Sequence, residues 1–408
     1  MAKASFKTFG LGQKVRRGLD EGGYGVPRPI QAKALPPALE GRDVLALAQT
    51  GTGKTAAYLV PVLERLTRRR GSGPRALVLA PTREVATQVH GELGVLAKFT
   101  GLSGALIVGG VPTGPQAQAL ARRPDLVVAT PGRLSDLLGK ERCDLSRIEA
   151  VVLDEADTLL ELGFLPALRT ILEATPPRRQ TLLFSATFPH EVRRLAEDFQ
   201  RNAKRIELTT GAPAEGVDHY LCAVRAKDKD RLLEEVLRER DFEKAIVFLR
   251  TKQRARELAR RLDEEGHAAA ALHGDLTQRE REAALAGFRE GRYDVLVATD
   301  LASRGLDVAG VSHVVNYDVP GTAETYTHRL GRTGRGEAVG QALTFVTHAD
   351  QERVRELEEG LGEPLPRRRM RDFAGGRERV AHPGRGRGRG GPRGRSRGGR
   401  RRRGGRRG

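Results

Sequence analysis

The stretch AQTGTGKT (Ala48–Thr55) follows the apolar run VLAL (Val44–Leu47) and precedes AAYLVPVLERL (Ala56–Leu66), a helical pattern. Strand, glycine loop, helix is the context in which a backbone wraps phosphate. Glycines let N–H groups approach anionic oxygens, and the helix N-terminus adds its positive end. Lys54 would reach the β- and γ-phosphate oxygens, and the Thr55 hydroxyl would ligate Mg2+. The loop residues Ala48, Gln49, Thr50, Gly51, Thr52 and Gly53 would line the nucleotide. The generic pattern wants Gly where Ala48 stands, and an ordinary glycine turn is the competing reading.

Two further segments fit phosphoryl transfer. AVVLDEAD (Ala150–Asp157) puts Asp154 and Glu155 just past an apolar strand. Asp154 would hold Mg2+, directly or through water, and Glu155 would orient and deprotonate the attacking water. Taken alone, the same residues are also the acidic first turn of a solvated helix. HRLGRTGR (His328–Arg335) spaces Arg329, Arg332 and Arg335 at i, i+3 and i+6, compatible with one helical face. Such a face would supply positive charge to the transferring group or, read blandly, form a basic surface helix.

Short apolar runs alternate with amphipathic stretches along most of the chain. Val44–Ala48, Ala76–Ala80, Ala105–Val108, Leu126–Ala129, Ala150–Leu153 and Thr181–Phe184 stand in the first half. Ala245–Leu249, Ala268–Leu272, Val295–Ala298, His313–Asn316 and Ala342–Val346 stand in the second. Continuous runs read as parallel strands covered on both faces, joined by helices in βαβ units. TTGAPAEGVD (Thr209–Asp218) is polar and without periodicity, and reads as a linker.

Charge divides the 408 residues unevenly. Of the net charge of +19, residues 367–408 hold 18 arginines and two acids, or +16, which leaves the rest at +3. From Gly384 onward only Pro392 and Ser396 interrupt Arg and Gly. Such a tail cannot bury enough apolar surface to offset chain entropy, and it suits a polyanion, most often nucleic acid. It has no apolar face to insert into a membrane. Two distant cysteines, Cys143 and Cys222, argue against a disulfide or zinc scaffold and fit a reducing cytosol. No run of about 18 apolar residues appears.

These segments together resemble the DEAD-box RNA helicases of helicase superfamily 2. In family order stand VPRPIQ (Val26–Gln31, the Q motif, with Phe6 or Phe9 upstream and the spacing favouring Phe6), AQTGTGKT, PTREV (Pro81–Val85), Gly109–Gly110, TPGR (Thr130–Arg133), DEAD and SAT (Ser185–Thr187). Then come VFLRT (Val247–Thr251), Gln278 with Arg281, ATDLASRGLD (Ala298–Asp307) and HRLGRTGR. Val85, Ser303, Leu330 and Arg28 depart mildly from common family residues without removing a polar group the chemistry needs.

The resemblance implies two RecA-like parallel-sheet P-loop domains in tandem, at residues 1–208 and 219–366. A linker at 209–218 would join them, and a disordered RNA-binding tail would occupy 367–408. It implies ATP as substrate with Mg2+, and RNA as partner, bound with little regard to sequence. Gln31 would read the adenine edge and Phe6 stack on the base; Asp307 would touch the nucleotide from the second domain. Arg332 and Arg335 would be arginine fingers, and Ser185, Thr187 and His328 would couple nucleotide state to strand separation. Thr82, Arg83, Gly110, Thr130, Arg133, Gln278, Arg281 and Thr299 would hold RNA phosphates and riboses. A cytoplasmic monomer is expected, with partners in ribosome assembly or RNA decay. The rivals are a translocating DNA helicase, which the Q motif and the DEAD spelling disfavour, and an ATP-gated RNA clamp or annealing chaperone.

Overall fold

Branched and aliphatic side chains alternate between two cores on either side of each sheet. In β1 (Val44–Leu47), Val44 and Ala46 enter one apolar cluster while Leu45 and Leu47 enter another. In β9 (Ala245–Leu249), Ile246 and Phe248 point one way, and Ala245, Val247 and Leu249 the other. A strand buried on both faces must be apolar at every position, which is why these runs are continuous. Each fully buried Leu or Val contributes about 1.5–3 kcal/mol.

The computed structural model describes residues 5–49, 51–69, 71–208, 217–300, 310–334 and 340–369. Its first sheet contains β1, β2 (Ala76–Leu79), β3 (Gly104–Ile107), β4 (Leu126–Ala129), β5 (Ala150–Leu153), β6 (Gln180–Ser185) and β7 (Lys204–Glu207), in the order β3-β4-β2-β5-β6-β1-β7. The second contains β8 (Val217–Ala223), β9, β10 (Ala269–Leu272), β11 (Val295–Thr299), β12 (His313–Asn316) and β13 (Gly340–Val346), in the order β10-β11-β9-β12-β13-β8. All strand pairings described in both sheets are parallel. Parallel order places every strand's C-terminal end on one edge, where ligands of open α/β sheets bind. Because β5, β6 and β1 are neighbours, DEAD, SAT and AQTGTGKT emerge side by side.

Three expectations need correction. The linker reading of 209–218 extends too far: Val217 and Asp218 pair with Gly340 and Gln341 as the start of β8. The tail reading begins too early. Leu221 N–H donates to the Pro366 carbonyl (2.8 Å) and Arg368 N–H to the Leu221 carbonyl (3.0 Å), so this segment lies along the open edge of β8. Arg367 pairs with Glu358 at 2.6 Å and Arg368 with Glu239 at 3.0 Å. Basic residues read as tail are held here by carboxylates that composition does not reveal. Residues 370–408 and 209–216 lie outside the described residues. Finally, Arg329 and Arg332 do not share a helical face, because the helix Ala323–Leu330 stops at Gly331.

No helix among the described residues is long and apolar enough to cross a membrane.

Candidate functional site

The loop after β1 is shaped by left-handed glycines, Gly51 at φ 81° and Gly53 at φ 89°. Gly53 has a second constraint: a Cβ there would stand 2.7 Å from Gln31 Nε2. Gln31 is 1% exposed; its Nε2 donates to the Gly53 carbonyl (3.0 Å) and its Oε1 accepts from Arg28 N–H (2.8 Å). Arg28 in turn donates to the Gly51 carbonyl at 2.6 Å. The Q-motif segment therefore braces the phosphate loop through its backbone. Phe6 is buried and packs edge-on to Phe9 and Tyr24, with ring centroids 6.3 Å apart in each pair. The helix Lys54–Arg68 starts inside the motif, and buried Lys54 donates to the Ala48 carbonyl at 3.0 Å.

Across from this loop stands the turn after β5. Glu155 adopts φ 50°, ψ 57°, a left-handed conformation that costs a non-glycine residue about 1–3 kcal/mol and is found mostly where function holds it. Asp154 accepts from Glu155 N–H (3.1 Å) and from the Tyr58 hydroxyl (2.8 Å). Tyr58, on the phosphate-loop helix, is fully buried against Phe184 and also meets the Thr55 hydroxyl. Burial pushes both the Asp154 and the Glu155 carboxyl up, against the opposing pull of Lys54. Arg332, from the second half of the chain, also pulls Glu155 down.

The site's oxygen donors are the Thr55 hydroxyl and the Asp154 carboxylate, joined through Tyr58, with no sulfur or imidazole described in that network. Hard oxygen donors around a buried acid fit Mg2+.

Between these loops, SAT is fixed by the last residue of DEAD. Asp157 Oδ2 accepts from Ala186 N–H (3.0 Å), Thr187 N–H (2.9 Å) and the Thr187 hydroxyl (3.0 Å). Asp157 N–H donates to Ser185 Oγ at 3.2 Å.

The predicted RNA contacts gather on both sides of the cleft. Thr82 caps the helix Arg83–Ala97, Thr130 Oγ1 accepts from Gly109 N–H (3.3 Å), and Arg133 donates to the Val111 carbonyl (2.9 Å). Gly110, at φ 75°, is so placed that a Cβ would lie 3.6 Å from Arg83 and 3.7 Å from Gln278. Two crossed ion pairs span the cleft here: Arg83 to Glu282 at 2.7 Å, and Arg281 to Glu84 at 2.9 Å. Thr299 ends β11, half-buried. In the last motif, Arg332 Nε donates to the His328 carbonyl at 3.2 Å. Buried Arg329 forks onto Asp300 (2.6 and 2.8 Å), a structural clamp. Thr50, Asp307 and Arg335 lie outside the described residues.

Sequence reasoning missed Tyr58, Asp157, Glu84 and Glu282. The last two sit beside residues already singled out, and their acid-next-to-arginine spacing was the available signal.

The model of the DEAD/DEAH box helicase family matches residues 28–195, and that of the helicase conserved C-terminal domain matches 228–337. The ATP-dependent RNA helicase CshA of Listeria monocytogenes is 42% identical over 355 residues, which cover 87% of this chain and 68% of that protein. The chain belongs to the DEAD-box ATP-dependent RNA helicases. Across eight such relatives it spans from 35% to 73% of their own length. Among solved structures, Dbp5 of S. cerevisiae bound to RNA and ADP BeF3 matches with TM-score 0.81 and 34% identity, covering 90% of this chain and 96% of that one. A single-substitution form of that yeast protein, bound to nup159, a gle1 variant, ip6 and ADP, matches at TM-score 0.65, at 34% identity over 89% of this chain and 96% of that one.

Proposed function

We propose that this chain couples ATP hydrolysis to local separation of short RNA duplexes or remodelling of RNA–protein complexes. The observation that carries the reading is the composite cleft. Lys54, Asp154 and Glu155 come from the first sheet and Arg332 from the second, so the ATPase site is complete only when the halves meet. Glu155 orients the attacking water and takes its proton, while Arg332, with Arg335, stabilises charge on the transferring phosphoryl. Thr55 and Asp154 would hold Mg2+, which when bound neutralises charge on the β- and γ-phosphate oxygens. Gln31 selects adenine through its amide, which favours ATP over GTP.

Arg83 and Arg281, with Gly110 and Gln278 between them, form a seam where RNA phosphates would join both halves. RNA and ATP each favour closure, so each raises the affinity of the other by the same factor. Asp157, by holding SAT between the two carboxylates and the cleft, transmits nucleotide state to that seam. Contacts of this kind fall on phosphates and 2′-hydroxyls and leave base sequence unread. The arginine–glycine tail is read as a tether that keeps RNA near the core between cycles. The test is steady-state ATP hydrolysis by the full chain with and without RNA. Strong stimulation is expected; hydrolysis that ignores RNA overturns the reading.

A further inference from the structure

The edge of the first sheet opposite the nucleotide site is far more basic than the near-neutral body of the chain requires. Helices return to the strands there, through loops that no helicase motif occupies. From β4 across to β7, each of these loops carries at least one exposed arginine: Arg122 and Arg123 before β4, Arg68 and Arg69 before β2, and Arg142 and Arg147 before β5. The row continues with Arg178 before β6, Arg42 before β1 and Arg201 before β7. Six adjacent strands about 4.8 Å apart make this a band about 24 Å long.

Among the described residues none of these arginines has a carboxylate within ion-pair distance. Glu40, Glu141 and Asp144 stand exposed among these arginines, and Asp144 feels the positive charge of Arg147 and Arg123. The other nearby acids are engaged elsewhere. Asp43 is buried and accepts from Thr181 and Arg201 backbone N–H groups, while Asp125 and Glu149 face buried Arg75. Two hollows lie along the band. One, of about 740 Å³, is lined by Arg123, Arg142 and Arg147 with Glu141 and Asp144; the other, of about 280 Å³, by Arg65, Arg68 and Arg69 with Glu40 and Glu149.

Two loops at the equivalent edge of the second sheet differ. Before β9, Glu239, Asp241 and Glu243 match Arg238, Arg240 and Lys244; before β11, Glu290 and Asp294 match Arg289 and Arg292. General solvation of loops would treat both edges alike. The cations named in the band are arginines, and a guanidinium forks onto phosphate oxygens.

We infer that this band is a second RNA-binding surface, which takes the phosphate backbone of RNA flanking the strand held in the cleft. The inference rests on RNA being the partner of the cleft. A single strand of about twenty nucleotides spans about 70 Å at about 3.4 Å per nucleotide, enough to pass round a unit of this size. Base readout is absent from the band, so binding there is independent of sequence and sensitive to salt.

The experiment compares the full chain with its Arg122→Gln/Arg123→Gln/Arg142→Gln/Arg147→Gln variant. Anisotropy follows two RNAs across a salt series: one short enough to fill only the cleft, and the same RNA with a twenty-nucleotide extension. Tail arginines are present in both proteins and cancel in the difference. On the extended RNA the slope of log affinity against log salt should flatten by about 3, from four sites at about 0.7 each. On the short RNA the slope and the saturated ATPase should be unchanged. An Arg42→Gln/Arg68→Gln/Arg69→Gln variant at the other end of the band should repeat the effect at about 2 units, which guards against one variant folding poorly. Equal slopes on the extended RNA for both variants and the parent overturn the inference while leaving the cleft intact. Absence of RNA-stimulated hydrolysis in the parent would instead overturn the reading of the cleft.

Discussion

Replacing Asp157 by Asn tests how DEAD is joined to SAT. The carboxylate is 3% exposed; one oxygen accepts three donors from Ala186 and Thr187, and the other accepts Thr158 N–H at 2.9 Å. A hydrogen bond to a charged acceptor is worth about 1 kcal/mol more than one to a neutral acceptor, and an orphaned buried donor costs about 1–3 kcal/mol. An amide keeps only one oxygen, so its NH2 must face at least one N–H donor. After relaxation the loss should be about 3 kcal/mol. In a unit of about 200 residues this lowers the melting temperature by about 6–12 °C. Thermal unfolding of the full chain measures it, with strand displacement per ATP hydrolysed alongside. Displacement should fall further than hydrolysis, because the nucleotide residues are untouched while the SAT loop is freed. A melting shift under about 2 °C with unchanged displacement per ATP would refute the reasoning.

Glu155→Gln should bind ATP and RNA yet lose about 10²–10⁴ in RNA-stimulated turnover, measured by phosphate release. Arg332→Ala should slow hydrolysis by about 10³ or more while a fluorescent ATP analogue still binds. Glu84→Gln removes one of the two ion pairs across the cleft. With both partners about 15% exposed, the RNA concentration for half-maximal ATPase should rise by about 5–30-fold, or about 1–2 kcal/mol of coupling. Truncation after Arg369 should leave thermal stability unchanged and flatten the salt slope on RNA by about 3. Truncation after Pro366 should in addition cost about 1–2 kcal/mol, because it removes the Arg367 and Arg368 pairs at the β8 edge.

Fold class was legible because strands such as VLAL and AIVFL are buried on both faces and so cannot alternate. The edge strands β7 and β8 were not. Three of the four residues of KRIE in β7 face solvent, and VDHYLCA in β8 begins inside a polar stretch, so neither carries an apolar run. At the site, the candidate residues of the phosphate loop, DEAD and SAT stood out by type and spacing. Residues that act on other residues did not: Tyr58 reaches Asp154 across 96 positions, and Glu282 meets Arg83 across the cleft. The i, i+3, i+6 spacing puts Arg332 on a helix, but Gly331 ends that helix and turns the arginine toward the cleft.

Displacement of a short RNA strand from a duplex by the full chain, under single-turnover conditions, is the most direct measurement. With ATP and Mg2+ the strand should be released far faster than with ADP or no nucleotide, and Glu155→Gln should release it at most once per bound ATP. Equal rates with and without ATP, alongside intact RNA binding, would contradict the account and mark the chain as an RNA clamp or annealer.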